Sequence, residues 1–168
     1  MATNATNEFT FFWENNSPFS QWYPAKFTVN GLDYNCAEQY MMHQKAVLFG
    51  DEDIAQQIMV YDSPRKQKAL GRQVKNFQQD IWNEKCRDIV KEGNMAKFSQ
   101  NADLKAALLR TAGTTLVEAS PHDRIWGIGL RAEDPKARIK REWRGKNWLG
   151  YCLTQVRDSI MASEGTAQ

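Results

Sequence analysis

Apolar positions divide this chain into a partly β first third and a largely helical remainder. Phe9-Thr10-Phe11-Phe12-Trp13 is aromatic and β-prone, and Lys26 to Tyr34 encloses Asn30-Gly31, a pair that favours the tight turn of a hairpin. Between them Asn15-Asn16-Ser17-Pro18-Phe19-Ser20 is a run of turn formers, predicted to be a loop presenting hydroxyl and amide groups. From Cys36 onward the spacing becomes helical. Asn35 is the predicted N-cap of a helix reaching about Leu48, with Gly50 as its stop. A short helix follows over Ile54 to Val60, and Ser63-Pro64, a cap followed by a first-turn proline, opens a basic helix toward Gly71. Ile81, Trp82, Cys86, Ile89 and Val90 recur at helical spacing within a helix from about Gln79 to Phe98. Asn101 is the predicted cap of the next helix, which carries Leu104, Leu108 and Leu109. Thr114 to Glu118 is β-branched and short, a predicted strand, and Ala119 to Arg131 reads as loop. A last amphipathic helix from Asn147 to about Met161 places Tyr151, Leu153, Val156 and Ile160 on one apolar stripe. The pattern predicts a helix-rich α+β fold with a few short strands: one domain over residues 9–162, a flexible segment over 1–8 and a disordered tail over 163–168.

Composition agrees with one domain. A chain of 168 residues, 42% hydrophobic, can bury a core without disulfides or metals. Cys36, Cys86 and Cys152 are widely spaced and odd in number, and with only two histidines they read as reduced thiols rather than zinc ligands. No metal and no cofactor is expected. The net charge of +2 is too small to identify a nucleic-acid binder, because an electrostatic footprint needs clustering as well as excess. The start is polar and no stretch approaches the length of a membrane span, so a soluble protein of the cytoplasm or nucleus, with no membrane partner, is expected.

Three groups of residues could carry chemistry. Glu38 stands at the start of the first strong helix. With Asn35 as cap it would occupy the position that completes a capping box, a structural role. Lys45, seven residues on, leaves the same helix face with an offset of about 20°. Helical side chains lean toward the N-terminus, so the lysine can extend toward the carboxylate, or lie over Met41 and Met42. The second group is Asp123 with Trp126-Gly127-Ile128-Gly129. Here the glycines could bring backbone close to a ligand, or serve a turn capped by Asp123. Trp82 and Trp126 are candidates to stack on a base or sugar, as well as candidates for the core. The third is Arg144-Gly145-Lys146-Asn147-Trp148-Leu149-Gly150, where backbone amides at a helix start and nearby cations could hold a phosphate through Asn147, Leu149 and Gly150, or form a solvated charge run.

In order and spacing these segments resemble the NADAR family, whose name records a proposed link to NAD and ADP-ribose and which includes the bacterial riboflavin-pathway N-glycosidase. The resemblance runs from about Phe11 to Arg157. It is carried by Ser17-Pro18-Phe19-Ser20 with Trp22, by Ala37-Glu38-Gln39-Tyr40 followed by Gln44-Lys45-Ala46, by Asp123 with Trp126-Gly127-Ile128-Gly129, and by Asn147 with Leu149-Gly150-Tyr151.

The resemblance implies hydrolysis of an N-glycosidic bond at C1 of a ribose. The substrate it implies is ADP-ribose joined to guanine, in a nucleotide or a nucleic acid, or else a ribosylaminopyrimidine phosphate of riboflavin synthesis. On this reading Glu38 is the central carboxylate, Lys45 a possible Schiff-base nucleophile, and Asp123 an orienting group for ribose hydroxyls or water. Ser17, Phe19, Ser20, Arg72, Trp82, Trp126, Gly127, Gly129, Asn147, Leu149 and Gly150 are then substrate-binding. No obligate protein partner is implied. A non-catalytic ADP-ribose or NAD reader is the competing expectation from another class.

Overall fold

The computed structural model describes residues 8–166. The chain packs as two compact units. One is continuous, Gln21–Ala102, and is called the helical unit; the other joins residues 8–20 to residues 103–166 and is called the terminal unit.

The helical unit begins with strands β1 (Phe27–Val29) and β2 (Leu32–Tyr34), paired antiparallel with Phe27 opposite Tyr34. Asn30 and Gly31 between them adopt φ of 51° and 80°, the left-handed pair that a two-residue hairpin turn requires. Helices α1 (Ala37–Leu48), α2 (Glu52–Val60), α3 (Pro64–Gly71) and α4 (Gln79–Ser99) follow, and α1 packs against the other three. Met42 and Ala46 of α1 meet Ile54, Ala55, Ile58, Leu70 and Val74 in one apolar cluster, while the rings of Phe27, Tyr34 and Tyr40 form another. Local chemistry sets the helix starts. Asp51 accepts from the Ile54 N–H at 3.1 Å and, with its other oxygen, from the Lys75 N–H at 2.8 Å, so one side chain caps α2 and ties down the segment after α3. Ser63 caps α3, with Pro64 in the first turn.

Two glycines set how closely the helices approach α1. A Cβ on Gly71 would collide with the Met42 sulfur, and one on Gly93 would stand 2.5 Å from the Tyr40 ring. Neither position tolerates a side chain without displacing a buried neighbour.

In the terminal unit, strand β3 (Phe9–Phe12) pairs in parallel with β4 (Thr115–Glu118), Phe9 opposite Thr115 and Phe12 opposite Glu118. The Thr10 and Thr114 hydroxyls hydrogen-bond at 2.7 Å beside the ladder. Helix α5 (Ala102–Leu109) precedes β4, and α6 (Trp148–Thr166) packs along it. Two short 3₁₀ turns, Pro135–Arg138 and Lys140–Glu142, lie between. Val117, Ile128, Leu130 and Ala137 form the core here, with Phe9, Phe11 and Trp143 against it. Arg157 is buried and donates to both the carbonyl and the hydroxyl of Thr111, which satisfies its charge-bearing end inside the unit.

The α+β class and the short strands agree with the sequence pattern. The tail does not. Residues 163–166, expected to be disordered, continue α6, where Glu164 pairs with Lys105 of α5. Residues 1–7 of the segment expected to be flexible, and 167–168 of the tail, lie outside the described residues. No helix among the described residues is long and apolar enough to cross a membrane.

Candidate active site

The first turn of α1 differs from expectation by one residue. The cap is Cys36, in extended conformation and with no side-chain capping bond, so Glu38 is the second helical residue. The bond back across the helix start is made by Gln39, whose Oε1 accepts from the Asn35 N–H at 2.7 Å while its Nε2 donates to the Ile58 carbonyl at 3.1 Å. Gln39 thus makes a bond back across the helix start. Glu38 is buried, 5% exposed, and its own N–H donates to the Gln21 carbonyl at 2.9 Å. Its carboxylate acts on Cys36 and on Lys45 through space.

Lys45 gathers the other residues of this unit's site. Its Nζ lies 4.6 Å from the Phe77 ring centroid and 5.6 Å from that of Trp82. Burial holds its pKa below the ordinary lysine value; Glu38 opposes the shift and Arg72 adds to it. Glycine at 71 lets α3 close on α1, which is how Arg72, exposed at the C-terminal end of α3, comes near Lys45. A half-buried amine beside two rings, one cation and one carboxylate has a neutral fraction that its neighbours can tune. The structure thus brings Glu38, Lys45, Arg72 and Trp82 together. Phe77 was missed by sequence reasoning because it stands in an irregular segment with no periodicity to flag it.

Behind Glu38 lies a buried polar layer that the apolar pattern also hid. The Cys36 thiol, pushed up to about 11 by burial, donates to Gln67 Oε1 at 3.2 Å. Gln67 donates in turn to the Tyr61 carbonyl and to Asn35 Oδ1. Lys97 is fully buried, and desolvation brings its ammonium down to about 7, with Cys36 opposing. Asn94, one turn earlier, donates to Gln21 Oε1 and to the Val90 carbonyl. Val90, Asn94 and Lys97 fall at i, i+4 and i+7. Polar residues continuing an apolar stripe were the available signal.

The remaining expected residues sit in the terminal unit. Asp123 Oδ1 accepts from the N–H groups of Ile125 and Trp126 at 2.9 and 2.8 Å, so one carboxylate oxygen caps the turn. Trp126 stands edge-on to Trp148 at 5.7 Å. Gly127 is needed for close approach, since a Cβ there would meet the Glu118 carbonyl oxygen at 2.9 Å, and Gly129 adopts a φ of 71°. Asn147, fully buried with a φ of 54°, is a strap: its Oδ1 accepts from the Glu118 N–H and its Nδ2 donates to the Leu116 carbonyl. Leu149 is buried in the packing, and a Cβ on Gly150 would strike the Leu116 carbonyl and the Asn147 side chain. These three residues have structural work within the unit. Ser17 Oγ accepts from the Phe19 N–H, the Ser20 N–H donates to the Ser17 carbonyl, and buried Phe19 packs edge-on against Phe12.

A helix-rich α+β domain with a buried carboxylate opening one helix and a partly desolvated lysine two turns later defines the class. The NADAR domain matches residues 11–161, and the chain belongs to that family. It is 46% identical over 164 residues to the N-glycosidase R617 of Acanthamoeba polyphaga mimivirus, covering 91% of this chain and 96% of that protein. It is 39% identical over 176 residues to the protein irg-1 of Caenorhabditis elegans, covering 95% and 83%. The solution structure of the Escherichia coli protein YbiA superposes with a TM-score of 0.77 at 27% identity, over 94% of this chain and 88% of that one.

Proposed function

We propose that this NADAR domain is an N-glycosidase that cleaves the bond between ribose C1 and a base amine, removing ADP-ribose from guanine. The relative named N-glycosidase R617, similar over nearly all of both chains, supports the general activity. The observation that carries the mechanism is the placing of buried Glu38 and the partly desolvated Lys45 on the same helix, the carboxylate acting on the amine.

The chemistry follows from the charge that develops. A ribosylated exocyclic amine can open its ring: the C1–O4′ bond breaks, O4′ takes a proton, and the nitrogen lone pair forms an imine with C1. Positive charge grows at C1 as this happens, and a carboxylate held in a low-dielectric setting stabilises it. Neutral Lys45 then adds through Nζ to C1. The C1–N bond to the base breaks, and the base leaves as its free amine after taking up a proton. Water hydrolyses the lysine imine, returning the amine and releasing the sugar aldehyde, which recloses. Desolvation of Lys45 favours the neutral nucleophile this route needs.

Purified protein supplied with ADP-ribosylated guanosine is expected to release free ADP-ribose and intact guanosine, identified by mass, and Glu38→Gln is expected to slow this release about a hundredfold or more. Release of ribose 5-phosphate from a ribosylaminopyrimidine phosphate, with no action on modified guanosine, would move the assignment to riboflavin intermediates. Tight ADP-ribose binding with turnover of neither compound would make the domain a reader.

A further inference from the structure

The charge of this chain is unevenly placed. Residues 123–146 hold eight basic and four acidic side chains, a net charge of +4 against +2 for the whole chain. Most of the basic side chains are exposed, and they are organised rather than scattered. Arg124 and Arg144 run side by side: a Cβ on Gly129 would touch Arg144 Cβ at 3.1 Å and Arg124 Cγ at 3.2 Å. The backbone holds this register, with the Arg144 N–H on the Ile128 carbonyl and the Lys146 N–H on the Arg124 carbonyl, both at 2.9 Å. Further along, Arg138 lies 5.3 Å from the Phe11 ring centroid and Lys140 lies 5.2 Å from that of Tyr151. Trp143 sits between these two pairs, 5.4 Å from Phe9 and 6.5 Å from Tyr151, its indole fixed by a 2.7 Å bond to the Ala137 carbonyl. Among the described residues, none of Arg124, Arg138, Lys140 and Arg144 is in a salt bridge.

We infer that this face of the terminal unit docks a single-stranded nucleic acid, its phosphates on Arg124, Arg144, Arg138 and Lys140 and its bases on the half-exposed rings of Trp143 and Tyr151. Two exposed cations whose side chains leave the backbone side by side favour an anion that can bridge them. Cations alternating with partly exposed aromatic rings match the sugar-phosphate and base alternation of a single strand. A groove reader would need a projecting helix or β-ribbon, whereas this face is built on two short 3₁₀ turns. An anionic membrane would engage the charge but gives no reason for fixed indole and phenol rings.

The test is binding to a fluorescein-labelled twelve-residue oligothymidylate, read by anisotropy across a salt series without any turnover. Wild type is expected to bind with affinity falling as salt rises, and with quenching of tryptophan emission. Lys140→Gln/Arg144→Gln is expected to bind at least tenfold more weakly and to flatten the slope of log affinity on log salt by about 1.4, roughly 0.7 per lost phosphate contact. Release of ADP-ribose from modified guanosine, where it occurs, is expected to be unchanged by the double substitution, which separates this surface from the glycosidase reading. Equal binding by wild type and variant, equal or tighter binding of a duplex, or binding to vesicles containing 30% phosphatidylserine but not to the oligonucleotide would each overturn the assignment.

Discussion

The Lys45 ammonium rests 4.6 Å from the centre of the Phe77 ring, and the Glu38 carboxylate of the same helix also acts on it. The ring favours the charged amine and the loss of water disfavours it, and desolvation wins. The neutral amine is therefore reached at lower pH than for a solvated lysine, and the rate is expected to rise with pH through that lowered value.

Its two charged neighbours push in opposite directions, which gives a signed test. Removing the Arg72 charge in Arg72→Gln lifts a repulsion, so the Lys45 midpoint is expected to move up. Removing the Glu38 charge in Glu38→Gln lifts an attraction, so the midpoint is expected to move down. The pH dependence of reductive methylation at Lys45, followed by peptide mass, reads both without needing turnover. Shifts of the same sign would contradict the arrangement.

Gln39 is expected to matter for stability and Glu38 for turnover. Gln39→Ala breaks the bonds to Asn35 and Ile58 and is expected to cost about 2 kcal/mol in urea unfolding, from two hydrogen bonds at about 1 kcal/mol each. Glu38→Gln is expected to keep the far-ultraviolet circular dichroism of wild type while lowering kcat by about a hundredfold or more.

Much of this was open to reading along the chain, and the limits have physical causes. The hairpin at Asn30-Gly31, the Ser63-Pro64 helix start and the apolar face of α4 were legible because each is decided within a few residues. The pairing of Phe9–Phe12 with Thr115–Glu118 was not, since partners more than a hundred residues apart leave no local mark. Glu38 and Lys45 were legible as a pair through helical spacing. That Gln39 would make the bond back across the helix start was not, because a one-residue shift of that start decides which side chain reaches back. Asn147 was legible as special; its work as a strap between β4 and α6 depends on tertiary neighbours.

Lys97 should leave a signature on stability. Its folded value of about 7 lies below the ordinary 10.5, so between these values the unfolded chain binds the extra proton. Stability linked to Lys97 is then fully present above 10.5, declines as pH falls, and is gone below about 7, with a slope of up to about 1.4 kcal/mol per pH unit. Lys97→Met removes that contribution, so the stability of wild type relative to the variant is expected to rise with pH between about 7 and 10, measured by denaturant unfolding. A flat difference would mean the ammonium is solvated.

Gly71→Ala tests the close approach that brings Arg72 to Lys45. The added methyl meets buried Met42 and is expected to destabilise by about 1–3 kcal/mol. Adding Met42→Ala is expected to recover part of the loss, which a simple change in helix propensity would not produce.

The central claim concerns the bond that forms at C1. Trapping with borohydride during turnover of ADP-ribosylated guanosine, followed by peptide mapping, is its most direct measurement. The account predicts one reduced ADP-ribosyl adduct on Lys45, strongly diminished in Glu38→Gln. Full turnover with no trapped adduct, or an adduct confined to another lysine, would contradict it.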